Sequence, residues 1–431
     1  MTGANIPGQG RFTAAIRRGA RYRRAFGWGR FLFRLGRFWL WLPKLMDGGW
    51  GSMGSPPRAY ADRPFGVNLA GYLTGENGLG ESARLRAHAL ETAGIPVALN
   101  NVVHQQLVNA ERVDAPVSRD NPYRFNLVWV NAPEADGFAR RAGPGYFAGH
   151  YNIGYWVWEM PAFPDDWLSR FRYYDEIWVP STFVQDCIAP RSPVPVVRIP
   201  HSIRPDRHVP GRAQAWRHEA GVPDGAFVFL FVFHFHSVFE RKNPLALIDA
   251  FKRTLATEQD AFLVIKTAGG AATRGLALMH EAARGSNVRI IDGVLRKDDV
   301  DRLIADCDCY VSLHRSEGFG LTLVEAMTHG KPVIATGYGG NTDFMTRENS
   351  HPVGYQLVEL ARDVGPYRKG WRWADPDVGE AAALMRHVHE HREDARRLGA
   401  RARRDVEQEL HPARIGALVR RRLESLSPAS P

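Results

Sequence analysis

Two glutamates, Glu317 and Glu325, stand eight positions apart in "VSLHRSEGFGLTLVEAMTHGKPVIATGYGGNTD" (311–343), on either side of a Gly-Phe-Gly. The run "CYVSLH" has the apolar character of a buried strand, and "LTLVEAM" has that of a helix, so "RSEGFG" is the turn between them. Gly318 and Gly320 allow the backbone to come close to a ligand there. The amides from Phe319 through Leu321 to Thr322 would point outward at the start of the helix, where the macrodipole favours an anion. Two carboxylates beside an anion site repel it unless they face something else. Sugar hydroxyls are suitable partners, because one carboxylate accepts two hydroxyl hydrogen bonds. The pattern therefore points to a diphosphate with hydroxyl-bearing groups on both sides, a nucleotide sugar. The plainer reading makes Glu317 a cap and Glu325 a helix-surface residue, and spacing alone does not separate the two.

A second candidate is "FHFHSVFERKNP", the exit from another strand-like run. Arg241 and Lys242 precede Asn243-Pro244, a good helix start. Lysine is a compact cation suited to a leaving diphosphate. Solvated basic residues on a loop are the alternative. His234 and His236 share one side of the strand but lack a third ligand, so no metal site is expected. Near the beginning of the ordered sequence, "GENGLG" places Gly78 and Gly80 before a helix. Its spacing is not that of the dinucleotide fingerprint, and a tight turn explains it as well as a phosphate or sugar contact does. Further polar candidates in the first half of the chain are Glu159 in "WVWEM" and Glu81, with Glu76 and His201 behind them. Each has a capping or loop role as its alternative, and no general base is assigned.

Strands must hold these turns. From Phe65 the sequence reads as strand, glycine-containing loop, amphipathic helix and strand, followed by "FNLVWVNA", "HYNIGYWVWEM", "EIWVPS" and "PVVRIPHSI". A polar, Pro/Gly-punctuated segment comes next. A second series then alternates strands "AFVFLFVFHF", "AFLVIKTA", "VRIIDG", "CYVSLH" and "PVIAT" with helical segments. Regular alternation predicts parallel sheets covered by helices on both faces. The expected organisation is a tail and linker over 1–62, an acceptor-side α/β domain over 63–205, and a nucleotide-sugar α/β domain over 206–385. Closing helices over 386–431 are expected to pack back on the first domain. A length of 431 residues suits two cores better than one.

The net charge of +10 suggests nucleic acid until its distribution is considered. Residues 1–47 hold nine Arg and one Lys against one Asp, which leaves only +1 for the rest of the chain. Nucleic acid is therefore not an expected partner of the body. In the tail, Arg alternates with Phe, Trp and Leu. Its weakly charged stretch Phe31–Leu42 is twelve residues long and contains Arg34 and Arg37, too short and too charged to span a bilayer. It also lacks the uninterrupted apolar centre and small-residue cleavage site of a secretory signal. The expectation is peripheral contact with an anionic membrane through residues 11–42, in a protein located in the cytoplasm at the inner face of the cell membrane. Packing against the body or a partner is the alternative. Three cysteines, Cys187, Cys307 and Cys309, are too few for a disulfide framework and read as reduced core thiols.

"SEGFGLTLVEAMTHGKPVIATGYGGNTDFM" closely resembles the signature of the group 1 (family 4) glycosyltransferases, with "ERKNPLALIDAF" resembling the donor-phosphate loop of that family. "GVNLAGYLTGENGLGESARL", "NIGYWVWEMPAFPDDW" and "WVPSTFVQD" resemble a bacterial branch associated with polysaccharide assembly. The likeness covers roughly residues 65 to 400. It implies the GT-B fold, two Rossmann-like domains facing a cleft, and transfer from a nucleotide-diphosphate sugar to a glycan or lipid-linked acceptor with retention at the anomeric carbon. It also implies no cofactor and no obligatory metal. By motif match Glu317 would contact donor sugar hydroxyls, Glu325 the ribose, Lys242 the diphosphate, and the amides of Gly318, Phe319, Gly320, Leu321 and Thr322 the distal phosphate. Many members carry an Arg five or six residues before the phosphate-binding Lys, where this chain has His236 or Ser237. Arg241 or a protonated His236 would have to replace that charge. A non-catalytic nucleotide-sugar-binding protein of the same fold is the alternative function. A sugar phosphorylase shares the fold class but not the cofactor-lysine context.

Overall fold

The computed structural model describes residues 60–427 apart from 104–108, 110, 114 and 206–213. The basic aromatic tail, residues 11–42 included, lies outside the described residues. Six parallel strands form the first sheet: β1 (Val67–Gly71), β2 (Val97–Asn101), β3 (Phe125–Trp129), β4 (Tyr151–Tyr155), β5 (Glu176–Val179) and β6 (Val196–Arg198). Their order is β2-β1-β3-β4-β5-β6. Six more form the second: β7 (Phe227–His234), β8 (Ala261–Ala268), β9 (Val288–Asp292), β10 (Cys309–Ser312), β11 (Val333–Thr336) and β12 (His351–Val353), in the order β12-β11-β10-β7-β8-β9. Near-continuous burial along β1, β3 and β8 explains why these strands read as apolar runs rather than alternating ones. Cys187, Cys307 and Cys309 are free and buried.

One polar feature interrupts the first sheet. Asn68, Asn126 and Asn152 are in register on adjacent strands and fully buried. Asn68 donates to Asn126 at 2.9 Å and Asn126 to Asn152 at 2.9 Å. A one-residue slip would leave three buried amides unpaired, so the ladder fixes register as well as contributing hydrogen bonds.

In both sheets the strand order reverses direction, between β1 and β3 in the first and between β7 and β10 in the second. Loops leaving such neighbours diverge and open a crevice at the carboxyl edge of the sheet. The turn carrying Arg241 and Lys242 leaves β7, and the turn carrying Glu317 leaves β10. An antiparallel hairpin, β13 (Tyr355–Glu359) with β14 (Arg372–Pro376), stands outside both sheets and was not anticipated from the sequence.

The closing helices are Val378–Glu390, Arg392–Leu410 and Pro412–Leu426. The last packs on the first-domain helix Gly78–Thr92 and adds Val419 and Leu423 to the core of the first domain. Arg422 pairs there with Glu176, a carboxylate with no exposed surface. No helix among the described residues is long and apolar enough to cross a membrane. Close packing of the last helix depends on Gly416, where a Cβ would lie 2.3 Å from the Ala89 carbonyl oxygen. Gly416→Ala is predicted to cost about 1–3 kcal/mol in urea unfolding. Wild-type stability in that variant would show that the helix is not held at this distance.

Candidate active site

The carboxyl edges of the two sheets face each other across a cleft of about 860 Å³. On the second-domain wall, the short helix Phe239–Lys242 lies between two residues in the left-handed region, Val238 (φ 63°) and Asn243 (φ 53°). Asparagine tolerates that conformation, and Asn243 is tied to the Leu313 carbonyl at 3.0 Å. A β-branched valine does not, so Val238 is a strained position within the site. This turn directs Arg241 and Lys242 at the loop after β10.

Lys242 and Arg241 converge on one oxygen of Glu317. Lys242 hydrogen-bonds Oε1 directly, and Arg241 Nη1 stands 3.3 Å from the same atom. Burial alone would push the Glu317 carboxyl up, but the two cations hold it down to about 2. Burial draws the Lys242 ammonium down from its ordinary value, with Glu317 opposing it. Arg241 is deeply buried, its side chain 4 % exposed, and also donates to the Ser316 carbonyl at 2.8 Å and the Ser237 carbonyl at 3.1 Å. Arg241 is thus a charge fixed beneath the site. Lys242 is the more accessible cation, and His236, which lines the cleft on an exposed turn, is not part of the ion cluster.

The glycines of the turn have separate duties. Gly318 is required by the first domain: a Cβ there would lie 2.9 Å from the Trp158 carbonyl oxygen, and the Gly318 carbonyl accepts from Ser181 at 2.6 Å. Gly320 (φ 92°) is the left-handed residue that starts the Leu321–Thr328 helix. Phe319 packs edge-on against His201 of the first domain, their rings 4.8 Å apart. The amides of Leu321 and Thr322, in the first turn, have no partner within the helix and border the cleft. Gly340, of the Gly-Gly turn, completes the seam, since a Cβ there would meet the Gly318 carbonyl oxygen at 2.1 Å.

Glu325 lines the same cleft one turn further along, and its carboxylate is 2.9 Å from Lys297 Nζ. Burial, with Asp301 and Glu81 nearby, raises its carboxyl to about 7 against the pull of Lys297. On the opposite wall Glu81 pairs with Arg84 at 2.8 Å. Glu159 reaches across to Arg241 Nη2 at 3.7 Å. Gly78 borders the cleft, whereas Gly80 does not. The Gly80 amide is taken by Asn77 Oδ1 at 2.7 Å, and a Cβ there would meet the Gly75 carbonyl oxygen at 2.4 Å. Its glycine answers a packing need.

Three cleft residues escaped the sequence reading. Lys266, at the carboxyl end of β8, is 3 % exposed and lowered by burial to about 8. A lysine inside the apolar run "AFLVIKTA" was an available signal. Lys297 pairs with a glutamate 28 positions later, and Tyr367 arrives on the β13–β14 connection; neither has a local signal.

Comparison with known proteins agrees with this geometry. Residues 213–405 match the family described as Glycosyl transferases group 1. The chain is 34% identical over 144 residues to D-inositol 3-phosphate glycosyltransferase 2 of Catenulispora acidiphila, covering 31% of this chain and 33% of that protein. It is 28% identical over 200 residues to N-acetyl-alpha-D-glucosaminyl L-malate synthase of Bacillus anthracis, covering 46% of this chain and 45% of that one. The chain therefore spans about a third to under half the length of these curated relatives. Among solved structures, Anabaena HepE in complex with UDP and glucose superposes with a TM-score of 0.60 at 15% identity, over 84% of this chain and 100% of that one. A glycosyltransferase from Rickettsia africae gives 0.61 at 13% identity, over 85% and 100%. At such identities the superpositions establish the fold, and that fold is GT-B. The matched segment, 213–405, carries both glutamates and the Arg241–Lys242 turn, and over that segment the chain is similar to the group 1 glycosyl transferases.

Proposed function

We propose that the protein is a retaining glycosyltransferase that moves a sugar from a nucleotide-sugar donor to a glycan or lipid-linked acceptor in cell-surface polysaccharide synthesis. One observation carries this reading. Lys242, in contact with Glu317, and the start of the Leu321–Thr328 helix line the same cleft as the two carboxylates Glu317 and Glu325. A diphosphate on the cationic side leaves Glu317 to the donor sugar hydroxyls and Glu325 to the ribose. UDP and glucose in HepE, and the sugar-transfer names of the two relatives, support a nucleotide-sugar donor.

In the proposed reaction the bond from the anomeric carbon to phosphate oxygen breaks, and its electron pair leaves with the nucleoside diphosphate. The acceptor oxygen bonds to the anomeric carbon and releases its proton. Positive charge grows on the sugar and negative charge on the diphosphate. Lys242 and the fixed amides meet the latter without reorganising, and Arg241 contributes from beneath. The positive charge is the protein's own, so turnover is expected in excess chelator. The first-domain wall would carry the acceptor, with Glu159 and Glu81 as its facing carboxylates. Closing the cleft excludes water and favours transfer over hydrolysis.

Lys242→Ala is predicted to lower donor turnover by about 10²- to 10³-fold, measured as nucleoside diphosphate released from a panel of nucleotide sugars in chelator. Wild-type turnover in that variant would remove Lys242 from the mechanism. The charge state of Glu317 gives a second test. Its carboxyl is about 2 in the folded protein against the ordinary 4.5. The stability it contributes is thus fully present above pH 4.5 and is lost as pH falls toward 2. That shift corresponds to about 3 kcal/mol. Glu317→Gln should therefore unfold more easily than wild type in urea at pH 7, with a smaller deficit at pH 3. An equal deficit at both pH values would show that the two cations do not hold this carboxylate ionised.

A further inference from the structure

The β13–β14 hairpin follows the second sheet in the chain but is packed into the first domain. Leu360, Tyr367 and Trp373 belong to the apolar cluster built around Trp156, Trp158 and Phe163. The Tyr367 ring lies 5.5 Å from that of Trp158, and the residue is 2 % exposed. Val364 and Tyr367 exchange two backbone hydrogen bonds, of 2.8 and 3.0 Å, which close a tight turn at the end of this arm. Gly365 in that turn (φ 56°) is so close to the strained Val238 that a Cβ would lie 3.1 Å from Val238 Cγ2. The arm thus sits against the residue that aims the Arg241–Lys242 turn.

A polar contact accompanies this packing. The Tyr367 hydroxyl donates to Glu159 Oε2 at 3.4 Å, while Glu159 Oε1 is 3.7 Å from Arg241 Nη2. The hydroxyl contact is at the outer edge of hydrogen-bond range, as contacts in active sites often are before substrate binds. Arg241 therefore stands between two carboxylates, Glu159 and Glu317, and Glu317 is shared in turn with Lys242. The more firmly Arg241 holds Glu317, the less Glu317 neutralises Lys242. A hydrogen bond that occupies Glu159 favours that division.

From this arrangement we infer that Tyr367 is a positioning residue of the donor site: its hydroxyl acts through Glu159 to keep Arg241 on Glu317, leaving Lys242 available to the diphosphate. The inference rests on the glycosyltransferase reading for its effect on turnover, and on geometry alone for the coupling of Tyr367 to Glu159. The aromatic arm is then part of the catalytic apparatus, because it carries the hydroxyl and presses on Val238.

Tyr367→Phe keeps the ring and removes only the hydroxyl. It is expected to lower kcat about 10-fold with donor KM changed less than about twofold and the melting temperature close to wild type. A role in packing alone would leave kcat unchanged in this variant. The double variant Tyr367→Phe with Glu159→Gln is expected to be no slower than Glu159→Gln, since the hydroxyl acts through that carboxylate. Multiplied losses, or a Tyr367→Phe enzyme as fast as wild type, would overturn the inference. If the wild type turns over no nucleotide sugar, the glycosyltransferase reading fails by itself, and the same variants are compared by urea unfolding. Non-additive changes in unfolding would then retain the Tyr367–Glu159 coupling, and additive ones would overturn it.

Discussion

A carboxylate buried beside an interdomain cleft remains ionised only while its cations stay in place, and the architecture around Glu317 serves that condition. Lys242 and Arg241 reach the same oxygen from a turn bounded by two left-handed residues. One of these, Val238, is strained, and a strained backbone persists only where its surroundings hold it. The hairpin arm packed on Val238 and the tie from Asn243 to Leu313 supply that hold. A charged site of this kind trades stability for preorganisation. Its desolvation is tolerated because the cluster is complete, and removing one member leaves a buried charge uncompensated.

The same economy of contact joins the two domains. The turn after β10 both forms the cleft wall and touches the first domain, through Gly318 against the backbone at Trp158, through Ser181, and through Phe319 against His201. The amide of Lys297 donates to Glu111 of the first domain at 3.0 Å, so the residue that pairs with Glu325 is itself anchored across the cleft. Closure and site assembly are therefore linked: the loops that would bind a donor are the loops that meet the opposite domain. Any opening of the cleft would have to break these contacts.

Much of this could be read from the sequence. Parallel strands covered on both faces are apolar throughout, so β7, β8 and β10 announce themselves, and helix periodicity separates them. The turns after β7 and β10, and with them the places of Lys242, Glu317 and Glu325 along the cleft, were legible because turn chemistry sets them locally. What was not legible is non-local. The Asn68–Asn126–Asn152 ladder appears in sequence as three isolated polar residues in three strands. Lys297 and Glu325 meet across two helices. The strands β13 and β14 form a ladder only with each other, β13 is largely exposed, and Leu360, Tyr367 and Trp373 bury themselves in the first domain, so neither pattern nor spacing reveals the hairpin. Gly318 was read as making room for a ligand, and it makes room for the Trp158 backbone. Arg241 and His236 were the alternatives for the missing charge, and in the structure Arg241 lies beneath Glu317 while His236 stands on an exposed turn. The membrane contact expected of residues 11–42 falls on a segment outside the described residues.

The proposed function requires a nucleoside diphosphate to bind in the cleft with its phosphates at Lys242 and its ribose at Glu325. Thermal unfolding in chelator with UDP, GDP, ADP, TDP and CMP, for the wild type and for Glu325→Ala, tests it most directly. A ligand at about 100 times its dissociation constant adds about 2.7 kcal/mol of stability, well within reach of a melting curve. The account predicts that a nucleoside diphosphate stabilises the wild type and fails to stabilise the variant. No shift with any nucleotide, or an equal shift in both proteins, would contradict it.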